Sequence, residues 1–158
     1  MLAARADIDR PTPEGMTPLM IPIDNMSYDT ARVLLDAGAN PHVWDWYGRT
    51  ALYVAVDMSS FRGRQPHPTA SSETSATDLV RLLLEAGVNA NAQLNMHRPS
   101  RGGNIGRFND ELLTTGTTPL LRAAIGADVE SVRLLLTHGA LVDLPNVHGL
   151  TPLLAAAG

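Results

Sequence analysis

The stretch GTTPLLRAAIGADVESVRLLLTHGA, residues 116–140, contains two phrases that recur along this chain of 158 residues. The first phrase, GTTPL, has counterparts at 15–19 (GMTPL), 48–52 (GRTAL) and 149–153 (GLTPL). The leading glycines are 33 residues apart at the first step and at the last, but 68 apart in the middle. This spacing predicts a structural repeat of about 33 residues, with extra residues inserted between its second and third copies.

The second phrase runs in phase with the first. LLLTHGAL at 134–141 has counterparts at 33–40 (VLLDAGAN) and 82–89 (LLLEAGVN). Even ARAD at 4–7 lies 33 residues before AGAN at 37–40, so the opening residues read as the end of an earlier unit.

Each phrase predicts a helix boundary. Thr before Pro-Leu starts a helix, because its hydroxyl accepts from free backbone N–H groups and Pro at the first position loses no needed donor. The Leu run predicts a second helix with one apolar face, closed by a left-handed Gly. DWYG at 45–48 and NVHG at 146–149 predict tight turns between units. Pro22 falls inside the first predicted helix and should shorten or kink it.

On these residues the chain resembles the ankyrin repeat family. TPL at 118–120, AA at 123–124, VRLL at 132–135 and GA at 139–140 match the family pattern. The resemblance implies an all-α ankyrin-repeat solenoid, in which stacked helix-turn-helix pairs carry projecting β-hairpin fingers. Such a unit cannot bury its apolar face alone, so its neighbours complete the core.

We therefore expect a single ankyrin-repeat domain over 1–158 that is partial at both ends. The tail of a preceding unit covers 1–11, and the units then occupy 12–44, 45–112, 113–145 and, in part, 146–158. Neither end carries the polar capping unit of a solenoid, which predicts a piece of a longer array and self-association through the ends.

The spacing also locates two insertions, both in the second unit. One lies between its two helices, near 59–75, and is rich in Ser, Thr and Pro, which is typical of an irregular surface loop. The other lengthens the following finger, near 92–113, and carries Arg98, Arg101 and Arg107 among three glycines. That composition fits either a clasp for an anion or a solvated loop. The finger insertion borders the surface that the family uses.

Composition excludes several kinds of chemistry. The chain has no Cys, and all 12 of its basic residues are Arg, which removes thiolate, disulfide and lysine chemistry. A net charge of -4 argues against nucleic acid as a partner, and no apolar run is long enough to cross a membrane. The start, Met1 to Asp9, lacks the apolar core of a signal peptide, which favours the cytoplasm. The use of Arg alone suggests a bacterial source.

The resemblance implies a protein partner bound at the finger tips and the exposed ends of the first helices. Carried over by phase, and with the two insertion arginines added, the expected contact residues are Glu14, Met16, Trp46, Tyr47, Arg49, Asp57, Met58, Arg101, Arg107, Thr115, Thr117 and His148.

Four aromatic residues fall within ten positions, 44–53. Aromatic side chains beside an Arg are typical interface residues. For Trp46 and Tyr47 the sequence leaves open whether they contact a partner or support the turn. Trp44 is expected to pack under the finger, and Tyr53 in the core.

The function indicated is non-catalytic binding of a protein partner, and whether the chain has any enzymatic activity is left open. The histidines have no ligand spacing, so we expect no metal and no cofactor. The alternative is a small-ligand-binding or hydrolytic protein whose two inserted loops cover a pocket near His97, Arg101 and Arg107.

Overall fold

The computed structural model describes residues 7–60, 73–96 and 112–157. The described chain forms seven α-helices, named here in chain order: α1 (Met20–Asp24), α2 (Tyr28–Asp36), α3 (Ala51–Ser59), α4 (Ala76–Glu85), α5 (Pro119–Ile125), α6 (Val129–Thr137) and α7 (Pro152–Ala157). Three antiparallel pairs and a single last helix follow the phase of the repeat. No strand occurs in these three ranges, so the structure is all-α there.

The helix starts follow the Thr positions of the first phrase. The Thr50 and Thr118 hydroxyls accept hydrogen bonds from the N–H groups of Tyr53 and Leu121, at 3.2 and 3.1 Å. In the first unit Thr17 makes the same contact with Met20, but the helix proper begins only at Met20. This helix, α1, spans five residues, in line with the shortening expected from Pro22.

The second helices end where the second phrase predicts. Gly38, Gly87 and Gly139 adopt left-handed φ angles of +91°, +80° and +82°. Each next N–H reaches back to a carbonyl in the preceding turn of its helix, as from Val88 to Leu83 at 3.1 Å. The helix ends are therefore closed by the backbone, and Gly is the residue that tolerates this angle.

The helices pack in two layers. First helices contact first helices in the order α1, α3, α5, α7, and second helices do so in the order α2, α4, α6. Because α3 has a neighbour on both sides as well as its own partner α4, all its residues from Ala51 to Met58 are buried. The core runs through these shared surfaces, with Leu52, Leu79 and Leu83 fully enclosed.

The described ends of the first insertion are held by different units. The chain leaves at Ser60, whose hydroxyl lies 3.3 Å from the Asp128 carboxylate at the start of α6. It returns at Glu73 and Thr74, whose N–H groups both donate to Asp29 on α2, at 3.1 and 2.8 Å. The insertion is therefore fixed to the third unit at one end and to the first unit at the other.

A membrane-spanning helix does not occur in the described ranges. The longest helix there, α4, has ten residues, roughly half of what a bilayer core requires.

Candidate partner-binding surface

The fingers are the turns that join each second helix to the next first helix. In the finger at 44–50, Asp45 lies at the turn and its Oδ1 accepts from the N–H groups of Tyr47 and Arg49, at 3.0 and 2.9 Å. The finger at 146–150 repeats this pattern with Asn146, which accepts from His148 and Leu150 at 3.0 Å each. The described fingers contain one antiparallel bridge, between Trp44 and Thr50, so they are tight turns and not extended hairpins.

Neighbouring fingers are joined by single backbone hydrogen bonds. Trp46 N–H donates to the Glu14 carbonyl at 3.1 Å, and Asn95 N–H donates to the Tyr47 carbonyl at 2.8 Å. Val147 N–H donates to the Thr115 carbonyl at 2.9 Å. The fingers thus form one continuous row across the units, which restricts the motion of each turn.

The second insertion leaves from the tip of the third finger. Leu94 occupies the turn position that Asp45 holds in the preceding finger, and its N–H donates to the Thr117 carbonyl at 3.0 Å. Gly116 N–H closes the same turn on the Leu94 carbonyl at 2.8 Å. The turn is therefore completed by residues on either side of the insertion, with Asn95 on one side and Thr115 on the other.

Two tryptophans project from the finger at 44–50. Trp44 and Trp46 leave 65% and 66% of their surfaces exposed, while Asp45 between them is buried. The cause is the extended backbone, in which alternate side chains point to opposite faces. The expectation that Trp44 packs under the finger is therefore wrong, whereas Tyr53 is buried as expected. The signal that sequence reasoning missed is the alternation around Asp45: if the turn residue Asp45 faces inward, its neighbours Trp44 and Trp46 face outward.

A shallow pocket of about 210 Å³ lies beside Trp44. It is lined by Trp44, Gly48, Thr50, Ala92, Gln93 and Asn95. Gly48 allows the two fingers to approach so closely that a Cβ there would lie 2.6 Å from the Asn95 nitrogen. We use the name finger row for a set of exposed side chains on these turns: Glu14, Trp44, Trp46, Asn95, Thr115, Val147 and His148.

Comparison with known proteins identifies the same repeat that the sequence predicts. The family model described as ankyrin repeats (3 copies) matches residues 1–94 and again 69–158. The chain belongs to the ankyrin repeat family. It is also 29% identical over 148 residues to the B-cell lymphoma 3 protein homolog of Mus musculus, a match that covers 90% of this chain. That match covers 32% of the mouse protein, so the chain spans about a third of its length.

The expected ankyrin contact residues divide by burial. Glu14, Trp46, Thr115 and His148 are exposed, and Met16 and Tyr47 are partly buried. Arg49, Asp57, Met58 and Thr117 are buried, so the expectation that they lie open to a partner is wrong for these four. Arg101 and Arg107, with His97, lie outside the described residues.

The buried members of the set have structural contacts instead. Arg49 donates from Nε and Nη2 to Asp45 Oδ2 at 2.6 Å each, and its guanidinium lies 5.4 Å from the centre of the Tyr47 ring. Asp57 accepts from Arg122 of the next unit at 2.5 Å. Repeat phase gives the register of Arg49 and Asp57 but does not reveal that each of these two side chains is buried against an opposite charge.

Metal binding has no support in the described part of the chain, where no three His, Asp or Glu side chains come together.

Proposed function

We propose that this ankyrin-repeat chain is a non-catalytic scaffold that binds a protein partner through the finger row. The observation that carries the proposal is the exposure of two tryptophans, Trp44 and Trp46, on a turn that is joined by one backbone hydrogen bond to the finger before it and by one to the finger after it. Tryptophan is one of the residues enriched among those that contribute most of the binding energy at protein interfaces, and large exposed apolar patches mark binding sites.

The binding mechanism is preorganisation. The backbone N–H of Trp46 donates to the Glu14 carbonyl, and the Asp45 side chain fixes the turn on which both tryptophans lie. A partner therefore meets side chains whose backbone is already ordered, so little conformational entropy is lost on association. The pocket beside Trp44 offers a place for one partner side chain.

The chain carries its own probe of this surface. Its only two tryptophans are Trp44 and Trp46, so intrinsic tryptophan fluorescence reports on the finger row alone. A partner first captured from a lysate of the source organism, and then purified, is titrated against the chain. The proposal predicts a blue shift of the emission as the indole rings leave water, with saturation at the binding stoichiometry.

The double variant Trp44→Ala with Trp46→Ala tests the same point without fluorescence. It should lose capture of the partner while its thermal midpoint stays nearly unchanged, because both side chains lie mostly in solvent. Val33→Ala is the matched control, since Val33 on α2 is 65% exposed and lies away from the fingers. Capture that survives in the double variant, or is lost equally in the control, contradicts the proposal.

Other parts of the expected partner profile stay predictions. Arg101 and Arg107 remain proposed contacts, tested by deleting Arg98 to Asn109. The same deletion tests the alternative of a ligand pocket under the two loops. No described contact joins the two insertions: the first leaves the described chain at Ser60, after α3, and the second leaves from the finger that follows α4. The absence of nucleic acid, self-association through the stack ends and a bacterial source likewise stay predictions.

A further inference from the structure

The finger at 44–50 offers its side chains to a partner but no free backbone edge. The N–H groups of residues 45–49 all donate within the chain, and three of them donate to Asp45. The next finger occupies the Tyr47 carbonyl, which accepts from the Asn95 N–H at 2.8 Å. Addition of a partner strand needs a run of unpaired N–H and C=O groups, which this turn does not offer. Recognition here therefore depends on side chains.

The side chains at this finger combine aromatic rings with hydrogen-bond donors. Trp44 and Trp46 lie two residues apart on one face of an extended backbone, so their Cα atoms are about 7 Å apart. Each indole has one N–H donor and no acceptor. Within the ranges that the structure describes, neither indole N–H has a hydrogen-bond partner, and neither does the side-chain amide of Asn95. The surface therefore presents apolar rings and unused donors.

An extended segment in the polyproline II conformation carries the complementary groups. Its backbone makes no internal hydrogen bonds, so its carbonyl groups are free to accept from the indole and amide donors. Its proline rings are apolar, and proline has no N–H group that binding would leave without a partner. A partner helix, in contrast, has most of its carbonyl groups already paired within itself.

The spacing of the fingers agrees with this conformation. Each finger leads into a first helix, and the helices α1, α3 and α5 pack side by side. Packed helices lie about 8–10 Å apart, so successive fingers recur at about that distance. One turn of polyproline II, three residues long, advances about 9 Å. Every third residue of such a segment therefore meets the next finger along the row.

The charges of the chain indicate that the segment is basic. The described ranges contain 14 Asp and Glu residues and 6 Arg, a net charge of -8 with His neutral. The one acidic residue of the finger row is Glu14, whereas Arg49 on the neighbouring finger is buried against Asp45. Glu14 lies one finger before the tryptophans, since its carbonyl accepts from the Trp46 N–H. A cation one turn away from the residue on Trp46 would face Glu14.

We infer that the finger row binds a proline-rich, positively charged segment of its partner in the polyproline II conformation. One proline packs on Trp46, and the next proline, three residues away, occupies the pocket between Trp44 and Asn95. An Arg or Lys one turn to the other side of the first proline pairs with Glu14. This inference rests on the proposed function and narrows the partner from any protein to this chemical class.

The test uses the peptide RAAPPAPPAAR, which reads the same in both directions and repeats proline at the three-residue period. It contains no aromatic residue, so the emission of Trp44 and Trp46 reports its binding to the full chain. Titration should give a saturable blue shift. The peptide RAASSASSAAR has the same charge and should bind about tenfold more weakly or worse, because it is flexible and lacks the rings. EAAPPAPPAAE should bind about threefold to tenfold more weakly.

Variants of the chain test the individual contacts. Glu14→Arg should reverse the preference, so that EAAPPAPPAAE binds more tightly than RAAPPAPPAAR. Glu130→Arg makes the same change of charge at an exposed position on α6 and is the matched control, which should keep the parent preference. Trp44→Phe keeps an aromatic ring but loses the indole donor, and should weaken binding about threefold to tenfold. Circular dichroism verifies that each variant is folded.

Each outcome decides between occupants of the finger row. No saturable shift with RAAPPAPPAAR, equal binding of RAASSASSAAR, or a preference that Glu14→Arg leaves unchanged overturns the inference. A purified partner that shifts the emission but is not displaced by RAAPPAPPAAR also overturns it, while the proposed function stands. The proposed function itself fails separately, if capture of the partner survives in the double tryptophan variant. A blue shift of the chain alone as its own concentration rises, with a dimer in sedimentation velocity, would assign the row to a second copy and overturn the inference.

Discussion

Arg122 Nε lies 2.5 Å from Asp57 Oδ1, in a buried ion pair that joins the third ankyrin unit to the second across 65 residues of sequence. Arg122 Nη2 also donates to the Asp57 carbonyl at 3.4 Å. Asp57 lies near the end of α3 and Arg122 in the middle of α5, so this contact sets how the two first helices lie against each other.

Removing one partner of this pair should be far worse than removing both. Asp57→Ala leaves a guanidinium buried and should lower the free energy of unfolding by about 3–5 kcal/mol. The double variant Asp57→Leu with Arg122→Met should recover most of that loss, because apolar side chains of similar volume need no partner. Urea unfolding of the three chains measures the difference. A single variant as stable as the parent would show that the pair contributes nothing.

The last finger shows how the turn at Asp45 can be built without an ion pair. Asn146 and Leu150 hold the positions of Asp45 and Arg49 in the last finger and make the same turn hydrogen bonds. Asp45→Asn keeps those bonds but removes the nearer of the two carboxylates that face buried Arg49, since the carboxylate of Asp24 lies 3.9 Å away, and should cost about 3 kcal/mol.

Adding Arg49→Leu to that variant copies the last finger and should restore most of the stability. Thermal and urea unfolding of the single and double variants provide the measurement. If the double variant is no more stable than Asp45→Asn alone, then the ion pair is not what the turn needs.

Two reasons for a glycine at position 48, the left-handed φ angle and the close approach of the next finger, can be tested separately. Gly48 and Gly87 have nearly equal φ angles, +79° and +80°, but a Cβ at Gly48 would meet the Asn95 backbone at 2.6 Å, while at Gly87 it would meet nothing within 4 Å. Gly87→Ala should cost about 1–2 kcal/mol for the left-handed angle alone.

Gly48→Ala should cost clearly more than Gly87→Ala, since the next finger must also move. It should further shift the tryptophan emission, because Gly48 and Trp44 line the same pocket. Equal losses of stability in the two variants would mean that the fingers yield without cost.

Stability in acid should depend on Asp128 at the start of α6. Burial, the largest single influence, raises its pKa, but hydrogen bonds from Ser59, Ser131 and Ser60 together outweigh burial and lower it. Because the folded pKa lies below the unfolded one, the carboxylate stabilises the fold above the ordinary Asp pKa of about 3.9. That stabilisation is lost as the pH falls through the folded pKa.

Asp128→Asn should therefore be less stable than the parent near neutral pH, and the difference in their free energies of unfolding should become smaller in acid. Urea unfolding at several pH values between about 7 and about 3 measures the gap. Asp143→Asn, at an exposed position, is the control and should show little effect. A gap that stays constant over this range would contradict a role for the charge.

The sequence by itself determined the repeat, its all-α class and most helix boundaries. These features depend on neighbours in the chain: a Thr hydroxyl reaches an N–H three residues on, as at Thr118, and Gly139 supplies a backbone angle to its own helix end. Phase arithmetic also predicts two insertions, both in the second unit, because an inserted residue shifts every later copy of a phrase. Such signals are local, so they can be read without knowing what packs against what.

Only the tertiary structure decided which predicted contact residues face solvent. Arg49 and Asp57 occupy repeat positions associated with the binding surface, yet each is buried against an opposite charge, and the partner of Asp57 belongs to another unit. Trp44 was expected to be buried under the finger and is exposed, while its neighbour Asp45 is buried. Burial depends on which side chains of neighbouring units meet, and that pairing joins residues far apart in the sequence.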